Sequence, residues 1–180
     1  MSLATLVNHR LPDPARRVAI QALGATFAQV MGVESPEYLR YRADEALEMF
    51  REFTAACIEE ALVDPQFARA KRAELEEAAY ELGSKVRQAL SPKDDEVAAL
   101  MSRLYEAIDI DVRDIGDDEL LFRHCYFAER YSPQVCAFMG AFDSGFVGGL
   151  YGNAALRFSA RITESACGCR ACVVLKGEVV

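Results

Sequence analysis

The chain has 180 residues, of which 52% are hydrophobic and 27% are charged, a balance typical of a globular chain with a sizeable core. Its net charge of −8 argues against nucleic acid or an anionic membrane surface as a partner, because both are bound through basic patches. Residues 1–10 lack the continuous apolar core of a signal peptide. We therefore expect a cytoplasmic protein with reduced cysteines.

Four helices are predicted in the helical N-terminal region, residues 1–110. Each start is marked by a residue that can cap a helix, followed by a proline that can occupy the first turn. Apolar residues then recur at helical spacing, and these stripes are most simply core packing. The four start signals are Asp13-Pro14, Ser35-Pro36, Asp64-Pro65 and Ser91-Pro92.

An acidic segment around Gly116 separates this region from the rest of the chain. Aspartates crowd residues 109–119, but their spacing does not match the twelve-residue pattern of a calcium loop. We predict a linker or turn there. The second region, residues 117–180, is expected to pack with the first as one domain.

The stretch from Pro133 to Leu156 has Asp143 as its only charge, and we predict a long apolar helix in it that ends at the Gly152-Asn153 turn. It is long enough to span a membrane, but its glycines, Asp143 and Asn153 favour a buried helix, and a membrane span is a minor alternative. Small residues four apart predict a face that another backbone can approach closely, in this chain or in a homodimer. They are Gly140, Ser144, Gly148 and Gly152.

Alternating polar and apolar residues after Asn153 predict a half-buried strand through Leu156 to Ile162. The segment from Cys172 to Val180 is a second strand candidate. The predicted fold is therefore α+β: a helical N-terminal region followed by a small α/β unit with an antiparallel β-sheet.

The cysteines suggest a metal or redox site. Cys167, Cys169 and Cys172 lie within six residues, and thiolates so close repel one another unless a cation or a disulfide compensates. A tight loop and one ligand from a neighbouring helix could supply a tetrahedral zinc set. We predict Cys136, Glu164, Cys167 and Cys172 as ligands, with Cys169 able to replace either of the last two. A redox pair and a structural loop with buried thiols are the alternatives.

A second group could carry catalysis. Cys125 follows His124, which suggests an activated thiolate with His124 or Glu129 as its base and Asp143 as an orienting or proton-transfer carboxylate. Sequence neighbours on a helix or strand do not usually face each other, so the adjacency is weak evidence for a dyad. A surface or packed histidine is the more common outcome for a single His.

Part of the chain resembles the 4-vinyl-reductase domain, which occurs in bacteriochlorophyll biosynthesis proteins and in the sensors of aromatic-responsive activators. The resemblance rests on the segment from Cys136 to Gly145, the segment from Glu164 to Cys167, and Cys172 with the valines after it. It implies that the same four zinc ligands lie beside a pocket for an aromatic or tetrapyrrole-like ligand.

A longer stretch also resembles the L-2-aminothiazoline-4-carboxylate hydrolase-like family. The resemblance rests on the segment from Phe122 to Glu129 and on later single residues: Asp143, Asn153, Arg157, Phe158, Thr163 and Cys172. Tyr126 stands where that family usually has proline. The resemblance implies a hydrolase that opens a small carbon–sulfur or carbon–nitrogen heterocycle.

Three functional hypotheses follow. The first and favoured one is the hydrolase. The second is a non-catalytic module that binds an aromatic or tetrapyrrole-like ligand beside a structural zinc, with the glycine-rich helix as one wall of the pocket. The third is a structural protein that oligomerises through its small residues. For either small-molecule role, the predicted ligand contacts are Phe138, Phe142, Asn153 and Arg157.

Overall fold

The computed structural model describes residues 11–116 and 118–175. Its helices are α1 (Asp13–Met31), α2 (Ala43–Ala61), α3 (Pro65–Leu90), α4 (Val97–Glu106) and α5 (Pro133–Tyr151). Its strands are β1 (Ile110–Asp114), β2 (Glu119–Cys125), β3 (Ala154–Ala160) and β4 (Cys169–Leu175). Short 3₁₀ turns occupy Tyr38–Arg40, Asp94–Glu96, Tyr126–Glu129 and Ile162–Glu164. The predicted α+β class is confirmed.

Two of the four predicted helix starts are placed correctly. Asp64 caps α3 by accepting hydrogen bonds from the amides of Gln66 and Phe67, at 2.9 and 3.2 Å. α1 begins at Asp13 and ends at Gly32, whose positive φ of 74° suits glycine.

The other two helix starts were predicted too early. The Ser35-Pro36 signal precedes a 3₁₀ turn, and α2 begins only at Ala43. The amide of Tyr38 is held by the side chain of Gln21 on α1, at 2.9 Å, so a tertiary contact fixes this turn. The Ser91-Pro92 signal is likewise followed by a 3₁₀ turn before α4 begins at Val97.

The sheet is larger than the predicted hairpin. Its order is β1-β2-β4-β3, and all three pairings are antiparallel. The acidic segment predicted as a linker contains all of β1, the β1–β2 connection and the first residue of β2. β4 begins at Cys169, three residues before the predicted start, while residues 176–180 of that prediction lie outside the described residues. β1 was missed because it is short and half acidic.

One face of the sheet is buried by α5, and α3 packs against the far side of that helix. The inward side chains alternate along each strand, as expected for a half-buried sheet. They are Ile110, Val112, Leu120, Phe122, Ala154, Leu156, Cys169, Ala171 and Val173. The apolar core is continuous from α1 to β4.

Glycines bring α3 and α5 to backbone contact distance. A Cβ at Gly145 would lie within 3.0 Å of the carbonyl oxygen of Glu76, and one at Gly149 equally close to that of Tyr80. Gly83 of α3 makes the reciprocal approach to α5. The close approach expected from the small residues therefore occurs within the chain, but the glycines that meet the backbone of α3 are not among those predicted.

The predicted set meets side chains of α3 instead of its backbone. Ser144 donates a hydrogen bond to Glu76 at 3.2 Å, and the carbonyl oxygen of Gly152 accepts one from Tyr80 at 3.0 Å. Gly148 approaches the carbonyl oxygen of Ala154 at the start of β3, and Gly140 lies under the guanidinium of Arg161. In the described part of the chain, no helix combines the length and apolar character needed to cross a membrane.

Candidate functional site

An apolar cavity of about 150 Å³ lies between α5, the C-terminal end of β2 and the helices α1, α3 and α4. Nearly all of its lining is carbon. The lining residues are Ala19, Ala22, Leu23, Phe50, Leu82, Val86, Leu104, Tyr105, Ile108, Ile110, Cys125, Phe127, Tyr131, Cys136, Met139, Phe142, Asp143 and Phe146.

The cavity has an outer end and an inner end. Half-exposed apolar residues of α1, α3 and α4, such as Leu23, Val86 and Leu104, form the outer end. Polar side chains that lie close enough to affect one another's pKa, among them Tyr105, Cys125 and Asp143, form the other end, which we call the inner end. The cavity therefore has an apolar end and a polar end.

Asp143 is the one carboxylate among the cavity-lining residues. The hydroxyl of Tyr105 donates a hydrogen bond to its Oδ1 at 2.9 Å. Burial raises the pKa of Asp143 from 3.8 to about 6, against smaller opposing effects of Tyr105 and Arg161. Asp143 keeps some accessible surface and lines the cavity.

A β-bulge decides which side chain at the end of β2 faces the cavity. Leu120 and Phe122 point inward, so strict alternation would turn His124 inward. The pairing with β1 slips between Asp111 and Val112, which places one extra residue in β2. Cys125, paired with Ile110, therefore points inward instead.

The environment of Cys125 suppresses its thiolate. Burial is the main cause that raises its pKa to about 12, with the charge of Asp143 adding to it. The backbone amides of Phe127 and Ala128 bond to the sulfur and act in the opposite direction. An activated nucleophile needs a lowered pKa or an adjacent base, whereas the pKa of this thiol is raised.

The structure brings only two of the four predicted catalytic residues together. Cys125 and Asp143 line the cavity. His124 pairs with Asp111 on the outer face of the sheet and lines a separate polar surface groove beside α4. Glu129 is exposed in the 3₁₀ turn after β2.

The predicted zinc ligands are dispersed. Cys136 lies in the first turns of α5 and lines the cavity, and Glu164 is close enough for its charge to raise the pKa of the Cys136 thiol slightly. Glu164 and Cys167 are exposed, and Cys172 lies on the outer face of β4, paired with Glu119 and Arg157.

Cys169, the predicted substitute ligand, points into the core and accepts a hydrogen bond from the amide of Ile162 at 3.2 Å. Within residues 11–116 and 118–175, no three His, Cys, Asp or Glu side chains are arranged to hold a metal ion. These donors do not fit a zinc ion as they stand, and zinc binding stays a prediction.

Of the four predicted ligand contacts, one lines the cavity and three do not. Phe142 lines the cavity, whereas Phe138 is buried in the core beside it. Asn153 follows the C-terminal end of α5, and Arg157 is exposed on the outer face of β3.

Sequence reasoning missed the walls that α1, α3 and α4 contribute. Leu23, Leu82, Val86 and Leu104 occupy the apolar stripes of those helices and were interpreted as core. The spacing of apolar residues along a helix does not show whether the neighbouring element is in contact or a few ångströms away. No sequence signal therefore distinguished cavity-lining residues from core residues.

Comparison with known proteins shows a similarity of fold. No protein-family model matches the chain, and no curated protein matches its sequence. The fold is similar to the crystal structure of a trafficking protein particle complex subunit 3 from Naegleria fowleri covalently bound to palmitic acid. The TM-score is 0.54 at 10% identity, over 76% of this chain and 99% of that one, which shows a shared fold alone.

Proposed function

We propose that the protein binds a small apolar molecule in the cavity between α5 and the N-terminal helices. The observation that carries this proposal is the cavity itself, with apolar walls and a few polar atoms at one end. Ligand sites commonly combine apolar walls with a few polar groups that orient the ligand. This is the binding hypothesis of the sequence analysis, without a requirement for zinc.

The cavity volume limits the ligand. An apolar cavity of about 150 Å³ is known to hold one benzene molecule, and the volume here is about the same. A single aromatic ring or a short alkyl chain is therefore the best fit. A tetrapyrrole has four rings and would require several times this volume, so we favour the aromatic ligand of the two first considered.

The fold similarity is compatible with an apolar ligand. The Naegleria fowleri subunit is covalently bound to palmitic acid, so a protein of similar fold carries an alkyl chain. Leu23, Val86 and Leu104 at the outer end of the cavity here are partly exposed, and we expect a longer chain to leave the cavity past them.

The hydrolase hypothesis receives less support from the geometry. Its nucleophile, Cys125, is buried with a raised pKa, and its two candidate bases lie elsewhere. Hydrolase activity stays a prediction, and the alkylation rate of Cys125 tests it.

Toluene is a suitable first probe, because it has one ring and no polar group. We expect saturating toluene to raise the melting temperature and to titrate to one site in solution NMR. Ala22→Leu would fill the cavity from α1 and abolish the effect, whereas Ala25→Leu, on the exposed side of the same helix, would preserve it.

Two outcomes would overturn the proposal: no toluene binding to the wild-type protein, or undiminished binding to Ala22→Leu. Elemental analysis of the purified protein tests the zinc prediction separately. Zinc at one equivalent, lost in Cys136→Ser, would restore the zinc-containing version of the site.

A further inference from the structure

One residue of the cavity lining carries a carboxylate, although the rest of the lining is mainly apolar. Asp143 lies on the cavity face of α5, one turn from Met139 and beside Phe142. Its neighbours in the lining are mostly aliphatic or aromatic. A buried acidic group requires a partner or a function, since an unpaired charge in an apolar environment is costly.

The carboxylate of Asp143 accepts one hydrogen bond in this structure and has the capacity for more. Tyr105 donates to Oδ1, and in the described part of the chain no second donor reaches Asp143. Arg161, whose charge acts on Asp143, stacks over Phe158 at 4.3 Å and lies outside the cavity lining. A carboxylate can accept about four hydrogen bonds, so Asp143 retains acceptor capacity toward the cavity.

The remaining polar groups of the cavity lining are already engaged or, like the thiol of Cys136, bond only weakly. The Tyr105 hydroxyl proton is directed to Asp143. The Tyr131 hydroxyl is bonded to Thr54, and the sulfur of Cys125 accepts from backbone amides. A ligand that reaches the inner end therefore meets one strong acceptor whose natural complement is a donor.

From this geometry we infer that Asp143 selects ligands with a protonated amine over ligands of the same shape with a neutral or anionic group. This inference rests on the proposed function and assigns its ligand class: a small apolar amine, with the ring or chain toward the outer end and the ammonium group at Asp143. Burial also raises the pKa of Asp143, because the ionised carboxylate loses contact with water. An ion pair with the ligand would offset this desolvation cost.

Four single-ring probes separate shape from charge: toluene, benzyl alcohol, benzylamine and benzoate. They differ mainly in one substituent. At pH 7.5 we expect benzylamine to bind about tenfold more tightly than benzyl alcohol, because a charge-assisted hydrogen bond is stronger than a neutral one. Benzoate should bind most weakly, because two carboxylates would meet at the inner end.

Asp143→Asn keeps the shape of the side chain and removes its charge. The preference for benzylamine over benzyl alcohol should then fall to within about twofold. Asp95→Asn makes the same change on the exposed surface and should leave the order of the four probes unaltered. The wild-type order alone tests the inference if Asp143→Asn does not fold.

The outcomes separate this inference from the proposed function. If no probe binds, the proposed function fails and the inference fails with it. If toluene binds but benzylamine is no tighter than benzyl alcohol, or benzoate is the tightest, the binding function stands and the role of Asp143 is overturned. Equal amine preference in wild type and Asp143→Asn would also overturn it.

Discussion

The two sides of α5 differ in how closely they pack. Toward α3, Gly145 and Gly149 allow backbone-to-backbone contact with no space for a methyl group. Toward α1 and α4, the larger side chains of the same helix, such as Met139 and Phe142, border a cavity of about 150 Å³. A single helix thus supports a dense interface on one side and an unfilled space on the other. The rigid side can hold the cavity walls in place, because close-packed regions resist rearrangement.

The largest expected effect is on the cavity side, in the chemistry of Cys125. With a pKa near 12, this thiol has very little thiolate at pH 7.5. We expect iodoacetamide to alkylate Cys125 at least about a hundredfold more slowly than the exposed Cys167, measured by mass spectrometry of peptides. Faster alkylation at Cys125 than at Cys167 would contradict the raised pKa and favour the hydrolase prediction.

On the dense side, Gly145→Ala should lower the free energy of unfolding by about 2–3 kcal/mol, since the added methyl must displace the α3 backbone. Gly140→Ala is the matched control in the same helix. There the methyl meets the movable tip of Arg161, at 2.9 Å, so the change should stay within about 1 kcal/mol. Denaturant titration measures both. Similar effects at the two positions would refute the contrast between the sides.

The cost of the buried carboxylate gives a pH-dependent prediction. The folded-state pKa of Asp143 is raised from 3.8 to about 6, so its favourable contribution is complete below 3.8 and is lost as pH rises through 6. A shift of this size corresponds to roughly 3 kcal/mol at most. Asp143→Asn should therefore be more stable than wild type at pH 7.5, by about 1–2 kcal/mol after allowance for solvent in the cavity.

That advantage should shrink toward pH 4, where the wild-type carboxyl is also neutral in the folded state. Denaturant titrations at pH 4, 6 and 7.5 measure the trend against Asp95→Asn, whose exposed side chain should show little difference. A constant difference between wild type and Asp143→Asn at all three pH values would contradict the raised pKa.

The smallest expected effect concerns the end of the dense interface. Arg87 of α3 donates to the carbonyl oxygen of Leu150 in α5 at 2.5 Å and contacts the exposed Asp94 at 2.8 Å. Arg87→Ala should lower the free energy of unfolding by about 1 kcal/mol, with little dependence on salt, because the main loss is the bond to the carbonyl. Lys85→Ala, which removes an exposed pair with Glu81, should cost less than about 0.5 kcal/mol. Thermal denaturation at low and high salt distinguishes them, and a strong salt dependence for Arg87→Ala would assign its effect to Asp94.

Local signals in the sequence determined several elements of the fold. The cap at Asp64, the apolar spacing of α1 to α5 and the alternation of β3 each involve residues close in the chain, so the α+β class could be predicted. The same signals failed where local structure depends on a distant contact. The amide of Tyr38 is held by Gln21, and β1 is a strand because β2 pairs with it.

The candidate site was decided by tertiary structure. Sequence reasoning selected Cys125, Asp143 and Cys136 as chemically notable, and all three line the cavity. It could not determine that a β-bulge turns Cys125 inward and leaves His124 on the outer face, because a one-residue slip in pairing reverses every side chain beyond it. Nor could it determine that apolar side chains of α1, α3 and α4 leave a cavity beside α5, since the space between helices depends on their relative positions and not on the composition of any one of them.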